Sequence, residues 1–409
     1  MASSKSQFSS LFFITAILLV FLTIFRPVVA AACYARIFAF GDSLTDTGNF
    51  LQSIGDFPDP VRRLPYGQTF FGRPTAEALG LPFVPPYLAG RDVEYFRHGA
   101  NFAVGGATAL NISFFEEKGI DVTWTEYSLG VQMGWFRQLL HLLSDESDRG
   151  DIMSSSLFIV GEIGGNDYNH PFLRARSLDE IRTYVPVVVQ AIGSAINDLI
   201  KLGARTLVVP GNFPIGCVPL YLTVFQSQNK EVYDQQTGCI KWLNEFSEYH
   251  NKLLVEELYR LRKLHPHATI IYADYYGASM NIFRFPHKFG FKTSLLACCG
   301  SHGPYNCAPS ILCGTKGSSV CAEPSTYASW DGLHLTEAAY KFVASAVLNG
   351  PYAAPSLSET CPTIELNDAQ ILRIRFKSIG ASIPDTLLKS KGVNCCNNEN
   401  SSFALLICY

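Results

Sequence analysis

Ile37-Phe38-Ala39-Phe40-Gly41-Asp42-Ser43-Leu44-Thr45-Asp46-Thr47-Gly48-Asn49 is the stretch that decides the fold. Four apolar residues in a row, closed by glycine and aspartate, read as a short strand buried on both faces. Strands of that kind belong to parallel sheets with helices on each side. A strand that stops at Gly41-Asp42 leaves Ser43 at its carboxyl end, where sites lie in open α/β sheets. Ser43 is therefore a candidate nucleophile, although a lone loop serine is most often a turn or cap residue.

The same alternation continues along the chain. Ser156 to Val160, Thr206 to Val209 and Thr269 to Tyr272 are further β-like runs, and Pro82 to Leu88 is strand-like. Apolar residues at helical spacing predict helices over Leu129 to Leu143, about Ile240 to Leu264, and Thr336 to Leu348, the last with Thr336 as N-cap. Ser177-Leu-Asp-Glu180 is a capping box opening a helix to about Leu202, which Pro186 should kink. Ala76 to Gly80 reads as the end of another helix. Strand, helix, strand, helix implies a three-layer α/β/α sandwich with a mainly parallel central sheet.

Of the 409 residues, 48% are hydrophobic and 16% charged, which supports a sizeable core and excludes a disordered chain. Residues 1–30 read as a secretory signal peptide. Lys5 precedes the apolar run Leu11 to Phe25, which is short of the roughly 20 residues of a membrane span. Val28-Val29-Ala30 fits a cleavage site after Ala30 or Ala32. A signal anchor is the competing reading, and the immediate Arg26-Pro27 and small residues favour cleavage. Loss of Lys5 and Arg26 leaves 30 basic residues against 35 acidic, which argues against nucleic acid or an anionic membrane surface as partner.

Twelve cysteines in a secreted chain imply disulfides rather than metal ligands, and their pairing cannot be deduced from sequence. Cys217 and Cys239 bracket one loop; Cys298, Cys299, Cys307, Cys313 and Cys321 crowd another. His302 lies near them, but there is no clean CxxC pair, so no metal is expected. Asn111-Ile-Ser113 and Asn400-Ser-Ser402 are glycosylation acceptors if exposed.

Three further stretches complete a chemistry. Asp331 and His334, three apart just before a helix, allow the carboxylate to accept from imidazole Nδ1–H while Nε2 faces outward. Taken alone, the pair would equally serve to cap that helix. Gly105-Gly106, in Gly99-Ala-Asn-Phe-Ala-Val-Gly-Gly-Ala-Thr108, and Asn166, on the Gly164-Gly165 turn, can supply oxyanion donors. There is no GxSxG elbow and no GxGxxG spacing after Val160, which removes the commonest nucleophile turn and a dinucleotide site.

These four ordered blocks resemble the GDSL-type esterase/lipases of the SGNH hydrolase superfamily, in their large plant branch. The resemblance runs from Cys33 to about Leu357, placing a hydrolase domain at 31–357 and an atypical tail at 358–409. It implies a flavodoxin-like sandwich and hydrolysis of carboxylic esters through an acyl-enzyme. It also implies Ser43 as nucleophile, His334 as base and Asp331 as its partner. The oxyanion hole it implies is formed by the Ser43 and Gly106 amides and the Asn166 side chain, with Gly105 as the alternative to Gly106. Pro210-Gly-Asn-Phe-Pro-Ile-Gly-Cys217 resembles the subgroup containing sinapine esterase and acetylajmalan esterase.

No cofactor, obligate protein partner or stable membrane span is expected. The partner is a small ester, and the location is extracellular (apoplast or cell wall) or vacuolar. Two departures from the family pattern stand out. About a dozen residues of the first crossover are missing between Thr75 and Ala76, as in a splice or gene-model variant with an impaired site. The tail with Cys395, Cys396 and Cys408 also has no counterpart. An acyltransferase using the same site is the alternative reading.

Overall fold

The computed structural model describes residues 33–361, apart from 69–83, 91, 123 and 146. The signal peptide, the junction at Thr75–Ala76, the helix end at Ala76 to Gly80, Asn400 and the tail from 362 onward lie outside the described residues.

Five strands, β1 (Arg36–Phe40), β2 (Gly99–Asn101), β3 (Ser156–Val160), β4 (Thr206–Pro210) and β5 (Thr269–Ala273), pair in parallel in the order 2-1-3-4-5. A two-residue strand, β6 (Ala353–Ala354), adds an antiparallel edge beside β5. The order reverses between β1 and β3. At such a switch point the crossovers leave in opposite directions and open a crevice at the carboxyl ends. Ser43 follows β1 and Asn166 follows β3, so both sit at that crevice.

Strand alternation builds two cores. Phe38, Phe40, Phe158, Val160, Leu207, Val209 and Ile270 pack with helices α1 (Leu129–Leu143), α2 (Gly165–Leu173), α3 (Val185–Lys201) and α4 (Lys241–Leu264). The intervening Ile37, Ala39, Leu157, Ile159, Val208 and Ile271 pack with α5 (Tyr275–Arg284) and α6 (Glu337–Asn349). Burial on both faces is why these strands read as continuous apolar runs.

Three expectations are corrected. Pro186 does not kink a long helix. Its predecessor ends at Arg182, and Pro186 occupies the first turn of α3, where a missing N–H costs nothing. Ser177 caps the short helix by accepting from the Glu180 amide, but Glu180 accepts from the Tyr184 hydroxyl instead of closing the box. The described part of Pro82 to Leu88 forms only an isolated bridge, at Pro86, before a 3-10 turn over Tyr87–Ala89. Disulfides join Cys217 to Cys239, Cys298 to Cys321 and Cys299 to Cys313, whereas Cys307 is a buried free thiol.

Phe136 of α1 is fully buried and meets the rings of Phe38, Phe40, Phe102 and Phe158 at centroid distances of 5.2 to 5.9 Å. Phe136→Ala is expected to destabilise the domain by about 3–5 kcal/mol in denaturant titration. A loss below about 1 kcal/mol would contradict this packing.

Candidate active site

The turn after β1 is held from three sides. Gln132 of α1 grips Gly41 at both ends, its Oε1 accepting from Gly41 N at 2.9 Å and its Nε2 donating to Gly41 O at 2.8 Å. Asp46 accepts from the amides of Gly48, Asn49, Phe50 and Gly105 at 2.6 to 2.9 Å. Asn49 donates to the carbonyls of Asn101 and Ala103, both at 2.8 Å. The first and second sequence blocks are thus laced together, and Ser43 sits on a rigid turn rather than a free loop.

Ser43 Oγ lies 2.8 Å from His334 Nε2, across 291 positions of sequence. His334 Nδ1 lies 2.8 Å from Asp331 Oδ2. An ionised carboxylate can only accept, so Nδ1 carries the proton and Nε2 is left to accept from the serine hydroxyl. The other oxygen, Asp331 Oδ1, accepts from the amides of Leu333 at 3.0 Å and His334 at 2.8 Å. Thr336, not this pair, caps α6, its Oγ1 accepting from Ala339 N.

Burial alone would raise the Asp331 pKa, but the His334 ring and the two amides outweigh it and hold the carboxyl down at about 2. Burial likewise disfavours charge on His334, and Asp331 beside it overcomes this, leaving the imidazole above its ordinary 6.5. The ring is thereby a stronger base than a free histidine.

Tyr66, in the loop after the first turn, donates its hydroxyl to Asp331 Oδ2 at 3.0 Å and sets its ring edge against Trp330. The sequence marks Tyr66 only as one of the loop aromatics Phe57, Tyr66, Phe70 and Phe71 that line a substrate mouth or simply pack the loop; its hydrogen bond makes it a candidate positioning group. An aromatic in a Pro- and Gly-rich loop carries no signal of the carboxylate it will meet.

The three oxyanion-donor candidates converge unequally. The Gly105 amide is taken by Asp46, whereas among the described residues the amides of Ser43 and Gly106 donate to no protein acceptor. That favours Gly106 over Gly105. Gly106 has φ +81°, and an added Cβ would lie 2.5 Å from Trp124 Cβ, so only glycine fits. Asn166 stands in the first turn of α2, whose amino terminus brings partial positive charge. Its Nδ2 donates to Ala107 O at 3.0 Å and, at a longer 3.2 Å, to Asp42 Oδ2.

Asp42 is itself buried and hydrogen-bonded to buried Glu162. Burial raises both carboxyls, Asp42 to about 6 and Glu162 well above its usual range, so the pair retains a proton. That proton lessens the negative charge beside the donor Asn166. Asn111 is exposed at the start of a short helix, where its Oδ1 accepts from Ser128 Oγ. Among the described residues no cluster of three or more metal-ligating side chains occurs.

The profile of the GDSL-like Lipase/Acylhydrolase family matches residues 37–347, which include all of these groups. The chain belongs to this family. The sinapine esterase of Brassica napus is 47% identical over 345 residues, covering 80% of this chain and 88% of that protein. Two GDSL esterase/lipases of Arabidopsis thaliana are 43% identical over 394 residues and 48% identical over 359. The first match covers 92% of this chain and 99% of the relative; the second covers 83% and 91%. This GDSL hydrolase carries Ser43, Gly106, Asn166, Asp331 and His334 within the region that the family profile matches.

Tyr66→Phe removes one donor to Asp331 and leaves the ring in place. A hydrogen bond to a charged group contributes about 1.5–3 kcal/mol, so kcat is expected to fall by about tenfold or more with KM little changed. An unaltered kcat would show that Tyr66 does not position Asp331.

Proposed function

We propose that the chain is a secreted serine esterase that hydrolyses small carboxylic esters through an acyl-enzyme. The observation that carries the reading is the continuous hydrogen-bonded line Ser43–His334–Asp331 at the carboxyl end of β1. A hydroxyl becomes nucleophilic when a positioned base removes its proton, and a carboxylate on the far side of that base steadies the resulting cation.

In the first half-reaction His334 Nε2 takes the Ser43 proton as Oγ attacks the ester carbonyl. Negative charge develops on the carbonyl oxygen, beside the Ser43 and Gly106 amides and the Asn166 amide. Asn166 reaches it by exchanging its long bond to Asp42 for one to the oxyanion. His334 then gives its proton to the departing alcohol. Water repeats the sequence on the acyl-enzyme, with His334 again as base. Secretion is supported by the disulfides of the described domain, among them Cys217–Cys239, Cys298–Cys321 and Cys299–Cys313, which suit an oxidising compartment. Because one relative is named a sinapine esterase, sinapine is a natural ester to try first.

The test is turnover of p-nitrophenyl acetate. Ser43→Ala is expected to lose at least about 10³-fold in kcat, and Asn166→Ala about 10²–10³-fold. Equal turnover by wild type and Ser43→Ala would overturn the reading. Activity needs neutral His334, and its cation is stabilised, so kcat/KM should rise with pH with a midpoint above 6.5. Asp331→Asn should move that midpoint down and cost about 10⁴-fold in kcat. A profile flat from pH 5 to 8 would contradict the role of His334. Adding an alcohol acceptor separates hydrolysis from acyl transfer by the product formed.

A further inference from the structure

Pro210-Gly211-Asn212-Phe213-Pro214-Ile215-Gly216-Cys217 leaves the carboxyl end of β4, one strand beyond Asn166, and plays no part in the chemistry above. The polar face of α4 fixes this loop. Asn251 Oδ1 accepts from Asn212 N at 2.7 Å, and Asn251 Nδ2 donates to Asn212 O at 2.9 Å. Asn244 accepts from Gly216 N at 2.9 Å and Ser247 from Ile215 N at 3.4 Å. Asn244, Ser247 and Asn251 are spaced i, i+3, i+7, so one helix stripe holds the whole loop. The Cys217–Cys239 disulfide closes it.

Asn212 lines the cavity that opens beside Ser43 and His334. The cavity's other walls include Phe213, Ile215, Val218, Phe283 and Leu335. The polar groups lining it largely satisfy one another. Tyr221 donates to Asn169, Asn169 to Asn166 Oδ1, and Asn166 to Asp42 and Ala107. Asn212 is the exception. The residue is only 4% exposed, and its Nδ2 is buried without a hydrogen-bond partner. Two amide hydrogens withheld from water and from protein are costly unless something else accepts them. The backbone is gripped twice, so the vacancy is not the looseness of a mobile loop.

We infer that Asn212 is a specificity-determining residue that donates to an ether, hydroxyl or carbonyl oxygen carried by the ester substrate away from the scissile bond. The inference rests on the hydrolase reading. It deepens that reading by naming a substrate class: esters with an oxygen on an otherwise apolar body, rather than plain alkyl esters. The oxygen belongs either to the acyl group or to the alcohol, and the donor is the same in both cases.

The experiment compares isosteric pairs on wild type, Asn212→Leu, Asn212→Asp and Ser43→Ala. The acyl arm uses p-nitrophenyl 4-methoxycinnamate against p-nitrophenyl 4-ethylcinnamate. The alcohol arm uses 2-methoxyethyl against n-butyl cinnamate. Rates are normalised to alkaline hydrolysis of each ester.

Wild type should prefer the oxygen-bearing partner in one arm by about 10- to 100-fold in kcat/KM, because a polar group left unpaired penalises the analogue. Both Asn212 variants should reduce that ratio at least tenfold, the leucine by deleting the donor and the aspartate by replacing it with an acceptor. Asn212→Leu should also melt no lower than wild type, since it removes an unpaired buried amide. No preference in either arm overturns the inference, as does a ratio unchanged by the variants or a lowered melting temperature without a changed ratio. Turnover by Ser43→Ala equal to wild type would instead sink the underlying hydrolase reading.

Discussion

A serine hydroxyl becomes a useful nucleophile only when a neutral imidazole stands within hydrogen-bonding distance and its tautomer is fixed from behind. The 2.8 Å contact between Ser43 and His334 meets that condition, and much of the fold answers to it. The end of β1 has to meet a loop almost three hundred residues later. The 2-1-3-4-5 order achieves this by opening the crevice where the chain reverses direction. Gln132, Asp46 and Asn49 then hold the serine turn by bonds to backbone amides and carbonyls, while Asp331 holds the His334 ring and Tyr66 in turn holds Asp331.

Electrostatics around the site are divided into two regions of opposite character. Asp331 is kept ionised behind His334, where charge steadies the imidazolium. Asp42 and Glu162, on the oxyanion side, are pushed up by burial, and Glu162 further by Asp42 beside it, so that the pair keeps a proton. In the proposed mechanism, full charge there would repel the oxygen that becomes negative during attack. Two carboxylate environments with opposite pKa shifts within one crevice are the usual means by which a single site stabilises a cation on one side and an anion on the other.

Much of this was legible in the residues. Strands buried on both faces announce themselves as apolar runs, which is why β1, β3, β4 and β5 stood out, and the helix over Leu129 to Leu143 ends where its apolar stripe ends. The residues of the Ser43–His334–Asp331 line were legible because each lies in a short block of unusual composition. What sequence left open was decided by distant partners. Gly105 and Gly106 are equivalent on paper until Asp46 takes the amide of one of them. Pro186 looked like a kink, but it lacks the N–H that would bond the Arg182 carbonyl four residues back, where the preceding helix ends, and so it opens a new helix instead. Tyr66 was legible only as a loop aromatic beside a substrate mouth, and Asn212 not at all, since an aromatic in a loop and an asparagine before Phe-Pro show no trace of what they face. The cysteine cluster around residues 298–321 gave its disulfides in kind but not in pairing, and Cys307 remained a thiol inside it.

The central claim is that Ser43 is the activated hydroxyl of this molecule. The most direct measurement is covalent labelling with a fluorophosphonate, mapped by peptide mass spectrometry and followed as a function of pH. A single adduct on Ser43, abolished by His334→Ala and forming faster as His334 loses its proton, is the predicted result. An active enzyme that takes up no label on Ser43, or takes it up at a rate indifferent to His334, would contradict the account.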